Sequence, residues 1–166
     1  MEKLKTLLIA NRGEIADRII RTAKRLGIRT ISIYTPADAA STHVASADEA
    51  VLLEGPDSKA YIDGAQIVKI AKERGVQVVI PGYGFLSENT DFARQVIEAG
   101  MVFAGPSPKC IDDFGIKHTA REFAATADVP IVPGTKGLVN SEEEAVEESK
   151  KLGFPVSRIN GSAIQV

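Results

Sequence analysis

A chain of 166 residues with 44% apolar and 25% charged residues and a formal net charge of −2 is long enough to bury a core, as one domain or one domain plus a piece of another. It has no basic cluster, and its few aromatic residues are scattered, which excludes a stacking or electrostatic platform for nucleic acid. Cys110 is the only cysteine and His43 and His118 the only histidines, so an internal disulfide and a cysteine-built metal cluster are excluded and too few ligands remain for a zinc site.

Residues 4–10 predict a first buried strand, and their apolar part, from Leu7 to Ala10, is too short for a secretion signal or a membrane span. A cytoplasmic location is the expectation. Asn11 with Glu14 three residues on fits a capping box, so a helix is expected to start there. Ile15, Ile19, Ala23 and Leu26 would form its apolar face, with Asp17, Arg18, Arg21, Lys24 and Arg25 off it and Gly27 as its stop. Only one glycine occupies this turn, so it is not the dinucleotide fingerprint. A phosphate at the helix start competes with a simpler role, in which Arg12 and Glu14 brace the turn.

A second strand is expected over residues 28–34, with Asp38 as a turn residue beyond it, a helical turn over 40–47 and a third strand over 50–53. Asp63 and Gln66 predict another cap, followed by a helix whose stripe contains Ala65, Ile67, Val68, Ile70 and Ala71. Val76, Val78, Val79 and Ile80 then form an apolar run typical of a strand buried on both faces of a parallel sheet, stopped by Pro81. Gly82 and Gly84 bracket Tyr83, which frees this loop to take positive φ and to let another group approach its backbone. The end of such a strand is where open α/β sheets bind ligands, although Tyr83 and Phe85 packed as core would suit the same residues.

Asn89 or Thr90 is expected to start a helix turning Phe92, Ala93, Val96 and Ile97 inward, and residues 101–104 a fifth strand. Strands alternating with helices predict a doubly wound, mostly parallel sheet. Beyond it, two short helices are expected over 107–114 and 117–126, an extended stretch over 129–134, and a last helix capped by Ser141 with Ala145, Val146 and Leu152 as its apolar face.

The run Pro-Gly-Tyr-Gly-Phe-Leu-Ser-Glu-Asn at 81–89, with Ile-Ala-Asn-Arg-Gly-Glu-Ile-Ala at 9–16, resembles the motif pair of the biotin carboxylase family. The family usually has histidine where this chain has Ile80. That departure, with Phe-Gly-Ile-Lys-His-Thr-Ala-Arg-Glu at 114–122 and Val-Pro-Gly-Thr-Lys-Gly-Leu at 132–138, resembles the urea carboxylase branch, which includes urea amidolyase. The resemblance implies a Rossmann-like pre-ATP-grasp domain over 1–115, followed by the start of an incomplete ATP-grasp domain over 116–156. Residues 157–166, without apolar periodicity and with two loop formers, Asn160 and Gly161, read as a poorly ordered tail outside the family.

Members of the family make carboxyphosphate from ATP and bicarbonate with magnesium, carboxylate biotin held on a carrier domain, and pass the carboxyl group on, here to urea. What the resemblance carries over is limited. Lys117 matches a lysine that contacts nucleotide phosphate, Tyr83 and Gly84 match the loop facing the biotin ring, and Glu88 on that loop would shape the site or cap a helix. Arg21 matches a position near the family's dimer interface, which implies a homodimer. The glycine-rich lid, the magnesium-holding glutamates and the bases that handle bicarbonate have no match, so no catalytic and no metal-binding residue is assigned and the isolated chain is expected to be inactive. The competing expectation is a noncatalytic dimerisation or partner-binding module, or a truncated product without function.

Overall fold

Thr6–Ile9 (β1), Arg29–Tyr34 (β2), Glu49–Leu52 (β3), Val78–Ile80 (β4) and Val102–Phe103 (β5) make one all-parallel sheet in the order β3-β2-β1-β4-β5. The computed structural model describes residues 3–135, 139–159 and 163–165. The chain divides into two units, residues 1–111 and 112–166. The sheet belongs to the first. β1 lies at its centre, and because side chains alternate along a strand it feeds two cores. Leu7 and Ile9 pack with Ala16, Ile20 and Ala23 of the helix Gly13–Arg25 (α1). Leu8 and Ala10 join the opposite, larger core with Ile31, Ile33 and Val79. Each fully buried Ile, Leu or Phe side chain there contributes roughly 1.5–3 kcal/mol by leaving water.

Two short helices, Thr42–Ser46 (α2) and Asp57–Ala60 (α3), flank β3. Gly64–Glu73 (α4) and Thr90–Glu98 (α5) complete the larger core with Ile67, Ile70 and Ala71 from the first and Phe92, Ala93 and Val96 from the second. Their starts were legible because the caps are local: Asp63 Oδ1 accepts from Gln66 N at 3.0 Å and Asn89 Oδ1 from Phe92 N at 2.8 Å. Ile97, expected inside, is exposed. In α1 the buried stripe is Ala16, Ile20 and Ala23, while Leu26 is exposed. Of the expected stripe, Ala23 is buried and Ile19 packs half-buried against the same core, Ile15 is half-buried, and Ala16 and Ile20 complete the buried face.

Pro108–Gly115 (α6) leads into the second unit, which contains Lys117–Thr126 (α7), Glu142–Leu152 (α8) and an antiparallel pair, Ser157–Ile159 (β6) with Ala163–Gln165 (β7). Ser141 caps α8 as expected, its Oγ accepting from Glu144 N at 3.1 Å. Val146 is exposed, and Ser149 lies buried on the α8 face instead. Residues 157–159 and 163–165 of the expected tail pair as two short antiparallel strands, and residues 160–162 lie outside the described residues.

Candidate functional site

In a parallel sheet of this order, the chain leaves β1 for one face and β4 for the other, so the loops after these two strands open a crevice at the carboxyl edge. Residues 10–13 and 81–89 are those loops. The expectation that the 81–89 loop lies at this edge is met. The crevice, however, is filled by protein. Asn11, fully buried, sends its amide across it: Nδ2 donates to the carbonyls of Pro81 at 2.7 Å and Tyr83 at 2.9 Å, while Oδ1 accepts from Arg12 N at 2.9 Å. In this orientation both amide N–H donors face carbonyl acceptors. Asn11 therefore does not cap α1; Arg12 occupies the cap position, without a side-chain cap bond.

Gly82 makes the arrangement possible. Its φ is +68°, and a Cβ there would stand 2.8 Å from Ile15 Cγ2 and 3.0 Å from Asn11 Nδ2. Gly84, at φ +72°, is exposed, with no other group within 4 Å of where its Cβ would be, and its carbonyl accepts from Ser87 N at 2.9 Å. Between them Tyr83 is 57% exposed and its hydroxyl donates to Glu14 Oε1 at 2.6 Å, which pushes the phenol pKa up. Phe85 follows at φ +44°, an unusual conformation for a residue with a side chain, and its ring lies 5.2 Å from that of Tyr61. Tyr83 and Phe85 are thus presented at the surface, not packed as core. Glu88 is exposed and its neighbour Asn89 provides the helix cap, so the capping role is not its own.

Beside this loop lies a polar network that sequence reasoning missed. Asp38, expected as a plain turn residue, is buried and accepts from Arg12 Nη1 at 2.8 Å and from Tyr61 Oη at 2.7 Å. Burial raises its pKa, but the hydrogen bonds from Tyr61 and Arg12 and the charge of Arg12 outweigh it, and the carboxyl is held below its usual range. Tyr61 is raised in turn by burial and by Asp38. The Arg12 guanidinium stands 5.8 Å from the Tyr61 ring centroid. None of these partners is near another in sequence, and the only signal was the presence of Arg12 and Asp38 at two strand ends.

His43 is the second missed residue. It is fully buried, and its Nδ1 accepts from Gly13 N at 3.3 Å. With Arg12 N held by Asn11, the Arg12 and Gly13 N–H groups at the start of α1 are both engaged by side chains. Since Nδ1 is an acceptor, neutral His43 carries its proton on Nε2, which has no hydrogen bond of ordinary geometry. Burial is the main cause of its lowered pKa; the Ile33 carbonyl, Asp38 and Asp17 oppose it and Arg12 reinforces it. An unfolded chain takes up this proton near pH 6.5 and the folded one only at lower pH. The unfolded state binds more protons in that window, so the stability due to neutral His43 is complete above about pH 6.5 and is lost as pH falls toward the folded pKa. Urea midpoints should accordingly decline between pH 7 and pH 5, and His43→Gln, which never charges, should flatten the decline. An equally steep decline in the variant would remove His43 as the cause.

The remaining expected residues lie apart from this edge. Arg21 is exposed on α1 and pairs loosely with Asp17, at 3.4 Å. Lys117 opens α7, and its side chain lies outside the described residues. Within the second unit, α7 and residues 131–135 border a cleft of about 500 Å³, lined by His118, Arg121, Glu122, Ile131 and Val132 among others; Arg121 Nη1 donates to the Val132 carbonyl at 2.8 Å. Among the described residues no three His, Cys, Asp or Glu side chains are grouped to hold a metal ion, and no helix is long and apolar enough to cross a membrane.

Comparison with known proteins agrees with this geometry. Residues 117–163 match the carbamoyl-phosphate synthase L chain ATP-binding domain. A putative urea carboxylase of Emericella nidulans is 67% identical over 156 residues, which are 94% of this chain and 13% of the relative. A urea amidolyase of Lachancea kluyveri is 52% identical, over 91% of this chain and 8% of its own length. The chain therefore spans only a small part of these relatives. Among solved structures, the biotin carboxylase domain dimer of Hydrogenobacter thermophilus 2-oxoglutarate carboxylase, in complex with MgADP, ADP and bicarbonate, superposes with a TM-score of 0.88 at 42% identity, over 94% of this chain and 34% of that one. The model of the biotin carboxylase N-terminal domain matches residues 3–111, more than half of the chain, which carry the whole parallel sheet with both of its edge loops, and the chain belongs to that family.

Proposed function

We propose that this chain supplies the amino-terminal wall of the biotin carboxylase site of a urea carboxylase, the enzyme that carboxylates carrier-held biotin at the expense of ATP and passes the carboxyl group to urea. The observation that carries the reading is the 81–89 loop, placed at the carboxyl edge of the sheet with Tyr83 and Gly84 exposed. Both suit one face of a flat, polar ring, the phenol by stacking and the backbone by hydrogen bonding. The urea branch is supported by the 67% identity to the Emericella nidulans protein. Lys117 would contribute a point charge toward nucleotide phosphate. Among the described residues no three carboxylate, histidine or cysteine side chains are grouped to hold magnesium. Pairing of two copies through the α1 face that bears Arg21 is part of the same reading, supported by the dimer formed by the Hydrogenobacter thermophilus domain.

A chimera tests it. Residues 3–156 of this chain, placed in the Emericella nidulans protein instead of the matching segment, should retain bicarbonate-dependent ATP turnover stimulated by urea. Tyr83→Ala in that chimera should lower turnover with biotin at least tenfold, about 1.4 kcal/mol in the barrier. A folded chimera without bicarbonate-dependent turnover would overturn the reading.

A further inference from the structure

We propose that Asn11 and Glu14 are positioning residues for the biotin-facing loop, Asn11 fixing its backbone and Glu14 the direction of the Tyr83 phenol. The inference rests on the proposed role of that loop and goes beyond it, because neither residue touches the ligand.

The geometry assigns the two tasks separately. Asn11 holds the loop at two carbonyls two residues apart, Pro81 and Tyr83, across about 70 residues of chain. Two bonds from one rigid amide fix both the position and the plane of the intervening peptides, where a single bond would leave a pivot. The amide is itself fixed: Oδ1 is tied to Arg12 N, Asn11 is fully buried, and Gly82 without a Cβ closes over Nδ2. The loop so held leaves Gly84 facing open space and directs Tyr83 outward. An exposed tyrosine has two rotatable side-chain bonds, and here a short bond to Glu14 Oε1 selects one direction. Glu14 stands in the first turn of α1, three residues beyond Asn11, so one segment at the end of β1 controls both the backbone and the side chain of a loop that follows β4. Asn11 is thus the residue on which the Tyr83–Glu14 contact depends.

This dependence gives a readout that general loss of stability does not imitate. The charged groups facing the Tyr83 phenol are Glu14, which raises its pKa, and Arg18, which lowers it. Tyr61 is raised for separate reasons, burial and Asp38. In the 166-residue chain labelled with ¹³C at tyrosine, the Tyr83 ring should titrate above the ordinary tyrosine range in the unaltered protein. Glu14→Gln should bring it down. Asn11→Ala should bring it down as well, although Glu14 is intact, while Tyr61 stays raised. The double variant should show no further fall, since both changes remove one contact. A Tyr83 titration unchanged in folded Asn11→Ala would overturn the proposal, as would additive shifts in the double variant. Should Asn11→Ala fail to fold, the unaltered chain still decides: exchange of the Asn11 Nδ2 protons should be slowed at least 100-fold relative to a free amide, and fast exchange overturns the proposal. Free biotin separates this inference from the reading beneath it. Biotin should shift the Tyr83 and Gly84 signals of the unaltered chain and lose that effect in Asn11→Ala. If biotin leaves the unaltered chain unmoved while Tyr83 titrates as described, positioning stands and the biotin-facing role of the loop fails.

Discussion

Gly82→Ala is expected to destabilise the amino-terminal unit by about 3 kcal/mol, lowering its melting temperature by roughly 15 °C. Two costs add. A residue with a Cβ in the left-handed region costs roughly 1–2 kcal/mol, and Gly82 lies there at φ +68°. Forcing a methyl group into a filled space costs a further 1–3 kcal/mol or so, and this methyl would meet Ile15 Cγ2 at 2.8 Å and Asn11 Nδ2 at 3.0 Å. Neither neighbour has somewhere to go, because Ile15 is held on α1 and Asn11 by three hydrogen bonds. Moving Asn11 aside would strand the Pro81 and Tyr83 carbonyls, each at roughly 1–3 kcal/mol if left without a partner. Gly84→Ala is the control, with nearly the same φ, +72°, and open space around the new methyl, so only the same backbone cost of roughly 1–2 kcal/mol applies. Thermal melts of the two variants read the difference directly. Equal losses would mean that the crevice between the loops is loosely filled, and that the Asn11 bridge holds nothing tightly.

The same crevice shows what a reading of the sequence reaches and where it stops. Elements set by neighbours in the chain were legible. Val78–Ile80 is an apolar run between a glycine and a proline, and Asp63, Asn89 and Ser141 cap their helices through bonds to the third residue on. The parallel order followed from strands and helices alternating. The edge carrying the 81–89 loop followed too, since the glycines and Pro81 end the strand there. What failed depends on residues that meet only in three dimensions. Asn11 and Glu14 satisfy the local pattern of a capping box, yet the fold uses them across the crevice, on Pro81, Tyr83 and the Tyr83 hydroxyl. Asp38 looks like any turn aspartate until Arg12 and Tyr61, 26 and 23 residues away, close over it. His43 counted only toward a metal site, whereas its task is to accept Gly13 N–H inside the core. In α1, periodicity found Ala23 and the half-buried Ile19 but did not choose Ala16 and Ile20 over their neighbours Ile15 and Leu26.

The purified 166-residue chain is expected to show no bicarbonate-dependent ATP turnover above background, with or without free biotin. Phosphoryl transfer proceeds through positioning and electrostatic stabilisation, by cations and metal-held phosphates arranged before the reaction starts. Among the described residues no metal-binding group of carboxylates or histidines is assembled. The resemblance places one lysine, Lys117, against the nucleotide. One unit charge attracts a phosphate at 4 Å in water with only about 1 kcal/mol, and salt screens even that beyond roughly 8 Å. Binding of nucleotide should therefore be near the millimolar range, about −4 kcal/mol, or weaker. The assay is release of phosphate from ATP with and without bicarbonate and biotin, with Lys117→Ala as the control for a contaminating ATPase. Turnover that needs bicarbonate and biotin and disappears with Lys117→Ala would sink the prediction, and would require that a second chain completes the site that these residues begin.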